Sequence, residues 1–403
     1  MSAAPALAPP TAAPGPARSP RLGWCAVLAV TLGIFCIVTT EILPIGLLTD
    51  IGADFHVSDG TAGLMMTVPG LLAAVAAPTV TVATARLDRR LMLGALTLLL
   101  ALANVLAALA PVYWPVLVSR VLVGITIGGF WSIGAGLADR LVRPESARRA
   151  TAVIFSAVPL GSVLGVPAGT FLGELAGWRA AFLTMGVLTA VVFALLQLLL
   201  PPLPAVRITR LSVLRAMCRS GHTCIALLTT FLIVLAHFGA YTYVTPFLRQ
   251  VTQVGPGTIT LFLLAYGAAG VLGNFLGGAA VTRRPHATFG AAACLLAAAT
   301  LLLPVLGHRP LGAVALLLVW GTAYGAVPVS SQAWFTRSAP HTTEAASVLF
   351  TASFQATISL GSLIGGVVVD RTSASAVMTC GGAVAVLMAL VVWVHFARRV
   401  EWP

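Results

Sequence analysis

Residues 24–48, WCAVLAVTLGIFCIVTTEILPIGLL, decide how the rest of the chain is read. The stretch is apolar except for a few hydroxyls and one acid, Glu41. About 20 apolar residues carry a helix across a bilayer, and a helix pairs its own backbone groups there. A charge at membrane depth costs about 2.5–3.5 kcal/mol on insertion scales. Glu41 must therefore be neutral, paired or facing water, and a carboxyl able to pass between these states is a candidate proton carrier. Pro44, one turn later, withdraws a backbone donor and can bend the helix.

The rest of the chain repeats this character. Of 403 residues, 59% are hydrophobic and 8% charged, against about 25% charged in soluble domains. The composition is that of a polytopic membrane protein, embedded in a lipid bilayer. The net charge of +12 comes from arginines, with no lysine, spread over short loops. That pattern argues against nucleic acid as a partner. Cys25, Cys36, Cys218, Cys224, Cys294 and Cys380 form no CxxC pair and read as small hydrophobes. Residues 1–20 are Pro/Ala-rich and are expected to be a disordered tail before a retained first helix.

Apolar runs of spanning length predict twelve helices, near 24–48, 61–84, 91–110, 115–137, 151–172, 180–200, 222–247, 257–282, 287–306, 311–332, 345–369 and 374–396. With both termini in the cytoplasm, 18 arginines fall on inside segments and 4 on outside ones, as the positive-inside rule requires. Residues 201–220 are the longest inside connection and separate a 21–200 bundle from a 221–403 bundle. The two halves echo each other. LGSVLG at 160–165 matches LGSLIG at 360–365, Gly124 and Gly128 match Gly321 and Gly325, and Pro44 answers Pro246. Parallel six-helix repeats with a midplane site between them are a transporter plan.

Three stretches extend the reading by resemblance. RVLVGITIGGFW (120–131), GSVLGVPAGT (161–170) and ARLDRR (85–90) resemble motifs of the major facilitator superfamily, within it the twelve-helix drug/proton antiporter branch. The run 153–182 and TEILPIGLLTDI (40–51) are similar to bacterial purine ribonucleoside and arabinose-type efflux permeases. The resemblance implies an all-α fold of two pseudo-symmetric six-helix bundles in the bacterial inner membrane. It implies proton-coupled efflux of a small organic molecule such as a drug, nucleoside or sugar, and a place among multidrug-resistance antiporters. It also implies a proton-coupling role for Arg120, gating roles for Asp88 and Arg89, and a leak-sealing role for Gly161, Gly165, Pro167 and Gly169. The loop motif departs from the family's at Thr84 and Leu91, where glycines are usual.

The residues themselves suggest more. Glu41 and Arg120 lie at similar depth with opposite charge, and Arg120 or water near it is expected to tune the carboxyl. His237 falls near midplane and can relay protons or bond substrate. Phe35, Phe130, Trp131, Tyr241, Tyr243, Tyr266, Asn274, Tyr324 and Gln355 are candidate cavity residues. The glycines have a second reading as helix-packing positions. The competing functions are proton-coupled uptake, a non-transporting sensor and an intramembrane enzyme. An enzyme needs clustered carboxylates or a Cys/His pair, and only Glu41 is deep. No Walker loop is present, so ATP is not the expected energy source. No metal or cofactor is expected, and a monomer suffices.

Overall fold

A computed structural model describes residues 20–84, 87–134, 137–204, 221–283, 285–338 and 343–397. The tail over 1–19, most of the 201–220 linker and residues 398–403 lie outside the described residues. The described chain is helical, with twelve helices long and apolar enough to cross a membrane. The first six spans come from α1 (Pro20–Asp54), α2 (Asp59–Ala62) continued by α3 (Leu64–Ala83), α4 (Arg89–Ala108), α5 (Tyr113–Gly134), α7 (Ala147–Ala176) and α8 (Trp178–Leu199). A short α6 (Ala138–Leu141) sits between α5 and α7. The second six come from α9 (Gly221–Tyr241) continued by α10 (Val244–Gln250), α11 (Pro256–Arg283), α12 (Pro285–Leu306), α13 (Pro310–Ser338), α14 (Thr343–Arg371) and α15 (Ala374–Ala397).

Several helices overrun their sequence-predicted ends. α1 reaches Asp54 and α7 runs from Ala147 to Ala176, because polar residues at a bilayer surface do not stop a helix. Two spans are broken rather than continuous, at Gly63 and at Thr242–Tyr243.

The repeat legible in the sequence is a repeat of packing. In the N-terminal half α1 packs on α7, α3 on α5 and α4 on α8. In the C-terminal half α9 packs on α14, α11 on α13 and α12 on α15. The matched glycines explain the seams. A methyl on Gly128 would lie 2.6 Å from Ala73 O and 2.7 Å from Ala77 N of α3. Gly325 is pressed the same way on the backbone of Gly270 in α11. Gly161, Gly165 and Gly169 set α7 against Val38, Ile42 and Leu43 of α1, while Gly361 and Gly365 set α14 against α9. Contact this close is how helices associate where lipid offers no hydrophobic drive. The halves meet along α3–α14 and α7–α11, which are equivalent pairs under the repeat.

Candidate substrate and proton site

Glu41 sits half-buried on α1 at the junction of the halves. Its carboxylate accepts a 2.8 Å hydrogen bond from Nε2 of Gln355 on α14. From there a ladder of bonds between the halves runs toward the C-terminal end of α1. Ser359 donates to Thr67 O at 2.7 Å, Thr245 to Ile45 O at 2.9 Å and Thr260 to Thr170 Oγ1 at 2.8 Å. At the rim, Arg249 binds both carboxylate oxygens of Asp50 at 2.7 and 2.9 Å. Asp370 accepts from Ser58 Oγ at 2.7 Å and from Gly60 N–H at 2.8 Å, and Gln250 donates to Asp59. This end of the molecule is latched, and Glu41 is the deepest acid on the ladder.

The rim ion pair is 27% and 40% exposed, so it is worth up to about 1 kcal/mol. Arg249→Ala is expected to shift the opening equilibrium of this end by up to about fivefold. Faster thiol labelling of a cysteine placed at Ser359, in a cysteine-free background, would report it.

Arg120 lies fully buried on α5. It does not pair with the Glu41 carboxylate: among the described residues the ion pairs within 4.0 Å are Arg179–Asp54 and Arg249–Asp50. Its guanidinium donates instead to backbone carbonyls, Nη2 to Thr40 O at 3.0 Å and Glu41 O at 3.2 Å, and Nε to Met65 O at 3.1 Å. Behind it, Asn104 donates to Thr40 Oγ1 at 3.1 Å.

His237 is buried in a cluster of rings. Tyr324 stacks on it at 3.3 Å and 6°, Tyr241 at 5.0 Å and 20°, and Tyr266 lies next to Tyr241 at 4.6 Å. Trp320 Nε1 donates to His237 Nδ1 at 3.1 Å. An indole N–H can only donate, so Nδ1 presents its lone pair and the neutral ring carries its hydrogen on Nε2. Trp320→Phe would orphan a buried acceptor, with an expected loss of about 1–3 kcal/mol. A lowered unfolding midpoint of the purified protein would show it.

The remaining candidates are dispersed. Tyr243 is buried near the latch, where its hydroxyl donates to Ser362 O at 2.7 Å and packs on Gly63. Phe130 is 1% exposed inside the N-terminal core, against Gly33, and half-buried Phe35 packs on that core. Trp131 is half-buried and stacks on Phe155 at 6.3 Å. Asn274 is half-buried on α11, and Gly273 beside it packs on Thr322 of α13. At the other end of the molecule Asp88 caps α4, accepting from Arg90 N–H at 2.8 Å. Asp88 also accepts from Leu203 N–H at 2.9 Å, and Arg89 N–H donates back to Leu203 O at 2.9 Å. This loop grips the chain as it leaves α8. Pro167 is buried in α7 among the glycines that face α1.

The Major Facilitator Superfamily model matches residues 30–354. The chain belongs to that superfamily. Curated relatives of similar length align over most of the chain. The transcription regulatory protein OpdE of Pseudomonas aeruginosa is 35% identical over 374 residues, covering 91% of this chain and 92% of that one. The purine ribonucleoside efflux pump NepI of Escherichia coli K12 is 31% identical over 373 residues, covering 92% and 94%. Among solved superfamily folds, a bacterial homologue of the human lysosomal transporter Spinster, inward-facing and occupied, aligns with a TM-score of 0.76 at 16% identity over 95% of this chain and 98% of that one. The human organic anion transporter MFSD10 aligns with a TM-score of 0.64 at 20% identity over 92% and 99%. The protein is thus a multi-pass membrane transporter of this superfamily, not an enzyme.

Reading from sequence missed Trp320, Thr40 and Asn104. Asn104, a lone amide in an apolar run, carried a signal. Trp320 carried none, because only the bundle brings α13 to His237.

Proposed function

We propose that this transporter exports a small organic molecule in exchange for protons, with Glu41 as the exchanging group. The observation that carries the reading is the Glu41–Gln355 bond. The acid that lies deep in the bundle among the described residues is also a contact between the halves, so its protonation state bears on whether they part. With the termini in the cytoplasm, as the arginine bias favours, the latched end is the outer one. Opening that end breaks the ladder and bares the carboxyl to the outside, where it takes a proton. Return to the latched form places it toward the cytoplasm, where release accompanies substrate loading. Gln355, Tyr324, Tyr241 and Tyr266 form the substrate wall, and His237 stiffens that wall through its bond from Trp320. Asp88 and Arg89 hold the inner loop, and the α7 glycines keep α1 tightly seated as the halves rock.

The naming of NepI makes a purine ribonucleoside the first substrate to test. In inside-out proteoliposomes an acidic lumen should drive labelled inosine inward. Symport would instead drain it, and no flux with any substrate panel would favour a sensing role, the reading that the name of OpdE raises.

A further inference from the structure

Two of the three carbonyls that Arg120 reaches, those of Thr40 and Met65, share a property visible in the sequence; the third, Glu41 O, precedes Ile45 by four residues and keeps its helical donor. In an α-helix the C=O of residue i receives the N–H of residue i+4. For Thr40 that residue is Pro44, and for Met65 it is Pro69. Proline has no N–H. Each carbonyl is therefore left without its helical donor inside a bundle where water is scarce, and an unmet buried polar group is costly. Arg120 reaches both, in two different helices, with two different nitrogens.

We infer that Arg120 is a backbone staple, a positioning residue that replaces the two donors removed by Pro44 and Pro69 and so keeps α1 continuous beside Glu41. The molecule holds its own control. Shifting Gly124 and Gly128 onto Gly321 and Gly325 places Leu317 at the register of Arg120 and Tyr266 at that of Pro69. At these registers the C-terminal half keeps the proline of its first helix, Pro246, and holds Leu317 in place of the arginine. There the helix breaks, α9 ending at Tyr241 and α10 starting at Val244. Where the arginine is present, α1 runs unbroken through Pro44 to Asp54. The guanidinium suits the task because its fork offers several donors in fixed directions, which an ammonium does not.

The stapling stands on contacts alone; only its consequence for transport rests on the proton-exchange reading. Its test is therefore stability of the purified full-length protein in detergent. R120A should lower the unfolding midpoint by about 5–10 °C. The pair P44A/P69A restores both amide donors, and adding R120A to it should cost less than half as much as R120A alone. If R120A yields no monodisperse protein, recovery of a monodisperse peak in the triple variant supports the staple, and failure of the triple variant overturns it. An equal loss in both backgrounds also overturns it. R120A/E41Q separates the alternative, in which Arg120 is a counter-ion for the carboxylate: rescue by E41Q would refute the staple, and no rescue supports it.

Discussion

Glu41→Gln is expected to reduce pH-driven substrate flux to the level of empty vesicles while leaving the protein folded and in the membrane. Glutamine has nearly the same shape and can still accept a hydrogen bond from Gln355, so the contact between the halves survives. What it loses is the exchangeable proton. Counterflow of labelled against unlabelled substrate, which needs no net proton movement, should be kept. The measurement is paired: flux under an imposed pH difference and counterflow without one, on the same preparation. Undiminished pH-driven flux in the variant would remove Glu41 from the coupling and with it the proposed mechanism.

Gly128→Val is expected to abolish recovery of folded protein. The glycine lies against backbone, with Ala73 O and Ala77 N both within 2.7 Å of where a Cβ would stand. Overpacking against side chains costs about 1–3 kcal/mol, and here there is no side-chain end to swing away. The α3–α5 seam must open or both helices must shift, and α3 also carries the contact to α14. Gly325→Val should fail in the same way, because Gly270 backbone faces it. Gly255, with nothing within 4 Å, is the control, and Gly255→Ala should be neutral. Size-exclusion profiles of the detergent-extracted variants decide this. A normal profile for Gly128→Val would mean that the close seam is dispensable.

Much of the architecture could be read without coordinates. Lipid forces each apolar run of sufficient length into a helix, so twelve spans follow from composition and length. The glycine matches at 124/321 and 128/325 proved to be equivalent seams, since a residue without a side chain is needed wherever two backbones touch. Breaks were harder to see. Gly63 and Thr242–Tyr243 interrupt spans whose hydropathy is continuous, because hydropathy records burial in lipid and not backbone geometry.

For the site, sequence alone determined the inventory: one deep acid, one buried arginine, one midplane histidine, and prolines at known registers. Depth along a helix follows from counting residues, so Glu41 and Arg120 were placed at one level. Their relation was decided only by tertiary structure. Counting cannot say which way a side chain turns or what waits across the gap. Folded, Glu41 turns toward Gln355 of the other half, while Arg120 turns toward carbonyls that two prolines had left bare. The missing amides were written in the chain from the start. That one guanidinium answers both depended on three helices meeting at a single point.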